Sequence, residues 1–151
     1  MSSIWWINRA SEASYGEREM ADRYVFVYGS LRKGEHNNPH FMPDSEFVGE
    51  GVVVDHLFKL SGYGTVPAAT IAEDGDFLVG EVWKCPRDDY QAVRNLEVNA
   101  GYEEVTVTVS YFTEYDQNHP AFITCLMYCH HGFGVEIEPN HADVLEWPRR
   151  R

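Results

Sequence analysis

No apolar stretch in this chain approaches the ~20 residues that a helix needs to cross a bilayer. Its start, Met1-Ser2-Ser3-Ile4-Trp5-Trp6-Ile7, has neither the basic opening nor the apolar length of an export signal. Basic residues are scarce: 12 Lys and Arg stand against 24 Asp and Glu, a formal net charge of −12. That balance argues against a phosphate-binding face, so neither nucleic acid nor an anionic membrane is an expected partner. Cysteine is sparse too. Cys85, Cys125 and Cys129 are an odd set without redox or zinc spacing. Reduced thiols, a cytoplasmic location, no metal and no other cofactor are the expectation. No internal repeat or low-complexity segment is visible, and nothing in the sequence points to an oligomeric state.

What remains is ordinary material for a packed core. The 151 residues suit one domain, with 44% hydrophobic and 14% aromatic residues to fill it. Residues 1–22 differ from the rest, with a polar Glu- and Arg-rich stretch from Ser11 to Arg23 that suits a short surface helix. They are taken as an N-terminal extension to a domain over residues 23–151.

Within that domain a strong β pattern begins at Tyr24-Val25-Phe26-Val27. Phe47 to Leu60 reads as two strands, or one bent at Asp55-His56. Thr65 to Ile71 is extended, with Pro67 confining it to an edge or a loop lining. Glu73 to Asp76 is a turn, Phe77 to Lys84 a strand, and Cys85 to about Leu96 a helix. Val105 to Val109 has the clearest period-two alternation. Phe112 to Pro120 reads as a polar hairpin connection, Ala121 to Cys129 as the returning strand, and Trp147 to Arg151 as a frayed tail. Strands lie close together and helix is scarce. The expected class is α+β: a small, mostly antiparallel barrel with one or two packed helices.

The first strand runs directly into Tyr28-Gly29-Ser30-Leu31-Arg32-Lys33-Gly34, with Asn37 and Asn38 in the polar loop behind. A glycine after a strand permits a sharp turn that exposes successive N–H groups, and such a nest holds a small carboxylate. A plain strand-ending turn would have the same spacing.

This loop resembles the signature of the gamma-glutamylcyclotransferase superfamily, in particular its small gamma-glutamylamine cyclotransferase branch. The resemblance continues through Gly62 to Ala69, then Gly80-Glu81-Val82-Trp83, then Leu96-Glu97 with Tyr102 and a Val-rich strand behind. It covers roughly residues 24–130. Three positions depart from it. Val93-Arg94 stands where the family usually has Leu-Asp, Glu104 where an arginine is frequent, and Val66 where a tyrosine is common.

The resemblance implies cyclisation of a γ-glutamyl amide to 5-oxoproline, with release of the free amine and Glu97 as general acid/base. The chemistry suits one carboxylate. The substrate's own α-amine attacks its γ-carbonyl, so the protein supplies conformation and proton transfer. A buried glutamate serves if its pKa rises from ~4.3 toward neutrality. Tyr28, Gly29, Ser30, Leu31, Glu81 and Tyr102 are the implied substrate-binding residues. Gly29 to Leu31 would offer amides to the α-carboxylate, the tyrosines would flank the glutamyl group, and Glu81 would be a secondary carboxylate. The neighbouring Cys125, Cys129, His130 and His131 are read as core thiols beside exposed imidazoles. Two other classes compete: a non-catalytic binding protein of the same fold, and a cysteine-dependent amide hydrolase. The leaving amine is not legible.

Overall fold

The computed structural model describes residues 22–63, 66–140 and 144–147. Five strands form its centre: β1 (Arg23–Val27), β2 (Glu46–Val53), β5 (Phe77–Cys85), β6 (Glu103–Thr113) and β7 (Asp116–Cys129). β1 pairs antiparallel with β5, β5 with β2, β2 with β6 and β6 with β7. β7 returns to β1 through a parallel pairing at Val25 and Leu126, which closes the barrel. Closure leaves these strands no free edge. β3 (Phe58–Tyr63), β4 (Val66–Ile71) and β8 (Val135–Ile137) make a small second sheet in the order β4-β3-β8. β9 (Val144–Leu145) lies parallel to the start of β5. Among the described residues the helices are α1 (Asn38–Phe41) and α2 (Arg87–Asn99), the latter linking β5 to β6. The fold is thus the expected α+β barrel, with two helices among the described residues.

Side-chain alternation explains the layers. Phe26 and Tyr28 point into the barrel with Leu78, Val82, Val107, Val109, Cys125 and Met127. Val25 and Val27, on the other face of β1, pack with Trp83, Val93 and Tyr128 beneath α2. β1 is buried on both faces, hence its unbroken apolar run. β6 alternates because its outer face is not covered in that way: Val107 and Val109 are buried, while Thr106 is exposed and Thr108 half-buried.

Most expected elements are present, including separate β2 and β3, and β4 at the edge of its sheet. Two expectations need correction. Asp116 to Pro120 is not a connection but the start of β7, and only Glu114 and Tyr115 separate it from β6. This end of the ribbon is exposed, so burial imposes no alternation on its sequence. The C-terminal segment is not a frayed tail as far as Trp147, which is 8% exposed and joins the barrel core with Leu145. The stretch proposed as an extension lies, except for Asp22, outside the described residues. Among the described residues no helix is long and apolar enough to cross a membrane.

Candidate active site

A cavity of about 260 Å³ opens where the loop after β1, the start of β4 and the end of α2 converge. Gly29, Ser30 and Leu31 form one side, Val66 and Pro67 another, and Leu96, Glu97 and Tyr102 a third, above a floor that includes Phe26 and Tyr128.

The loop is built by local bonds. Arg32 N donates to the Gly29 carbonyl at 3.0 Å, and Asn37 N to the Ser30 carbonyl at 3.1 Å. Asn37 Nδ2 donates to Ser30 Oγ at 2.8 Å, and Asn38 Nδ2 to the Leu31 carbonyl at 2.7 Å. The amides of Gly29, Ser30 and Leu31 donate to no protein acceptor among the described residues. Consecutive unpaired N–H groups at a cavity wall suit an anion. Gly29 opens the turn without a left-handed backbone. Its φ is not among the positive ones. A Cβ there would stand 2.6 Å from Pro67 Cγ, so close approach of β4 demands the missing side chain.

Glu97 reaches the cavity because of how α2 is built and how it stops. Tyr90, Val93, Leu96 and Glu97 recur at helical spacing along the face that packs on the barrel, and Val93 is fully buried. Glu97 therefore puts a carboxylate where the pattern calls for an apolar residue. The helix ends in a Schellman turn: Gly101, at φ 91°, donates to the Val98 carbonyl at 3.0 Å, and Tyr102 N to the Glu97 carbonyl at 2.9 Å. That turn folds Tyr102 back beside Glu97. Burial pushes the Glu97 carboxyl up to about 7. Its charge, after burial, helps to raise the Tyr102 hydroxyl well above the usual range.

Six of the seven residues anticipated for the site line this cavity: Tyr28, Gly29, Ser30, Leu31, Glu97 and Tyr102. The tyrosine hydroxyls already have protein partners. Tyr28 Oη donates to the Tyr128 carbonyl at 2.8 Å and accepts from Ala69 N at 3.0 Å. Tyr102 Oη donates to the Pro67 carbonyl at 2.7 Å. Both rings therefore serve as walls: the Tyr102 hydroxyl donates to β4, while the Tyr28 hydroxyl donates to β7 and accepts from β4. Glu81 is the seventh and is not in the cavity lining. It is 3% exposed and accepts bonds from Arg32, Lys33 N and Trp83 Nε1.

Tyr128 and Pro67 escaped notice as site residues. Tyr128 sits on the outer face of β7, and only closure of the barrel brings it to β1 and α2. Two of the departures from the family pattern face one another. Arg94 Nε lies 3.9 Å from Glu104 Oε2, which also accepts from Tyr90 Oη and Tyr128 Oη at 2.7 Å each. Neither residue lines the cavity, whereas Val66 does, 47% exposed.

All three cysteines are buried and none lines the cavity. Burial pushes Cys85 up to about 11 and Cys125 and Cys129 up to about 12, which removes the thiolate a nucleophile needs. Among the described residues no three His, Cys, Asp or Glu side chains are placed to hold a metal.

Known proteins share this architecture. The crystal structure of an AIG2-like protein from Mus musculus superposes with a TM-score of 0.62 at 18% identity, covering 87% of this chain and 99% of the mouse protein. An uncharacterized protein from Pyrococcus horikoshii gives 0.56 at 20% identity, covering 76% of this chain and 85% of that one. In sequence, the "Putative gamma-glutamylcyclotransferase" of Methanocaldococcus jannaschii is 34% identical over 80 residues, 52% of this chain and 64% of that relative. The match thus spans less than two thirds of the relative's length. A family model, gamma-glutamyl cyclotransferase, AIG2-like, matches residues 25–147, from the first barrel strand to the buried Trp147. The chain belongs to that gamma-glutamyl cyclotransferase family.

Proposed function

We propose that this protein cyclises a γ-glutamyl amide to 5-oxoproline and releases the free amine, with Glu97 moving the protons. The observation that carries this reading is the company Glu97 keeps. Among the described residues it is the only carboxylate in the lining of the cavity, and burial pushes its pKa up to about 7. The lining also holds Gly29 to Leu31, whose amides have no protein acceptor among those residues. A group poised there is ionised often enough to take a proton and acidic enough to return it.

The substrate's α-carboxylate binds the amides of Gly29 to Leu31. Glu97 takes one proton from the α-ammonium group. The freed nitrogen attacks the γ-carbonyl carbon and forms the ring C–N bond. Glu97 then protonates the leaving nitrogen, the old C–N bond breaks, and Glu97 accepts the second proton of the ring nitrogen. The two protons lost by the α-nitrogen equal the two gained by the amine when it leaves as an ammonium ion. No covalent enzyme intermediate and no external water enter the balance.

The test is a panel of γ-glutamyl amides assayed for 5-oxoproline, with Glu97→Gln alongside. Glutamine keeps the shape and cannot relay a proton, so turnover should fall about 10²- to 10⁴-fold. Open-chain glutamate as product would indicate a hydrolase. Binding without any product would indicate a non-catalytic member of the fold. Undiminished 5-oxoproline release from the variant would remove Glu97 from the mechanism.

A further inference from the structure

Outside the cavity lining lies a buried ion pair that the chemistry above does not use. Arg32 is 1% exposed and Glu81 3%. Glu81 Oε2 accepts from Arg32 Nε at 3.1 Å, and its Oε1 accepts from Lys33 N at 2.8 Å and Trp83 Nε1 at 3.0 Å. Two of these three donors belong to the residues that directly follow Gly29 to Leu31. On its far side the guanidinium reaches the C-terminal segment: Arg32 Nη1 donates to the Trp147 carbonyl at 2.9 Å and to Glu146 Oε2 at 3.3 Å. Nη2 has no hydrogen-bond partner among the described residues and stands 3.7 Å from the exposed Glu50 carboxylate.

We propose that Glu81 is the positioning residue of the amide cradle, acting through a buried Glu81–Arg32 strut that pins the Gly29–Leu31 loop to β5 and to the C-terminal segment at Glu146 and Trp147. A carboxylate buried in this way is expensive unless each oxygen is matched, and here each is matched. The bonds end on the loop's own backbone and on its next side chain, so they fix where the three free amides point. Preorganised donors bind an anion without first having to be ordered. Glu81 touches no part of the cavity, so its loss should weaken recognition of the glutamyl end and leave the proton relay at Glu97 intact.

This inference rests on the proposed cyclisation for its kinetic arm but not for its structural one. The experiment takes full-length Glu81→Gln and the double variant Glu81→Gln/Arg32→Met. The double variant removes both buried charges together and so avoids leaving one unpaired. Amide hydrogen exchange over residues 28–33 should be at least about tenfold faster in either variant, with α2 unchanged. With a γ-glutamyl amide that the parent turns over, KM should rise at least about tenfold. The kcat should stay within about threefold, and the ascending pH limb near 7 should be kept. If the parent releases no 5-oxoproline, the functional reading fails while the exchange measurement still decides the strut. A folded double variant with parental exchange and parental KM would overturn the proposal. So would a collapse of kcat at unchanged KM with loss of the pH limb, which would make Glu81 the base.

Discussion

Glu97 carries a cost that should be measurable apart from any catalysis. Its folded pKa of about 7 lies above the ordinary 4.5, because burial penalises the anion. Below pH 4.5 the group is protonated in both folded and unfolded chains and costs nothing. Between these values the folded state binds more protons, so stability falls as pH rises, and the full cost is present above about pH 7. Glu97→Gln should therefore be more stable than the parent by about 1–3 kcal/mol at pH 8, with the gap closing by pH 4.5. Urea unfolding of both proteins at several pH values reads this directly. Identical pH dependence in the two would mean that the carboxyl is not perturbed. The ordered motifs made this residue legible. Its burial was less so, because that depends on the barrel under α2. The hydroxyls of Tyr28 and Tyr102 show the same limit: the sequence placed the rings at the site but did not show that both hydroxyls bond to the backbone of β4.

Elements meet at the site with little room to spare. The loop after β1 and the first residues of β4 touch so closely that Gly29 has no space for a Cβ beside Pro67. Gly29→Val should push the two apart, cost about 1–3 kcal/mol in stability and lower kcat/KM at least ~30-fold through the displaced amides. A thermal unfolding curve and a kinetic run on the same preparation separate the two effects. A folded, fully active variant would reduce the loop to a simple turn. The helix expected to end at about Leu96 runs on to Asn99, where the turn at Gly101 stops it. The β6–β7 ribbon was not readable in outline, because its exposed end alternates with nothing to alternate against. Arg94 and Glu104 teach a related lesson. As separate substitutions they look damaging. Across α2 and β6 they form one pair with the signs exchanged, placed behind the cavity wall.

At the scale of the whole molecule, the family match and the barrel both begin with the first strand. The described residues that line the cavity all lie between Phe26 and Tyr128. A protein starting at Met20 should thus fold and keep cyclisation within about threefold of the full chain, a change under ~1 kcal/mol. Circular dichroism and 5-oxoproline release would check this. A folded but inactive product would give residues 1–19 a part in the site. Trimming the other end is a different matter, since Leu145 and Trp147 sit in the core and Glu146 reaches Arg32.

The sequence by itself determined the local and periodic features: strand-rich α+β class, acidic surface, glycine-marked loop, one helix with a carboxylate near its end. These follow from short-range rules of side-chain alternation, turn chemistry and charge. The tertiary structure alone decided which residues meet across long separations. It placed Glu81 in a buried ion pair with Arg32 outside the cavity lining, brought Tyr128 into that lining and drew the C-terminal segment into the core. Barrel closure sets those contacts through strand register and burial, and neither is written in the spacing of neighbouring residues.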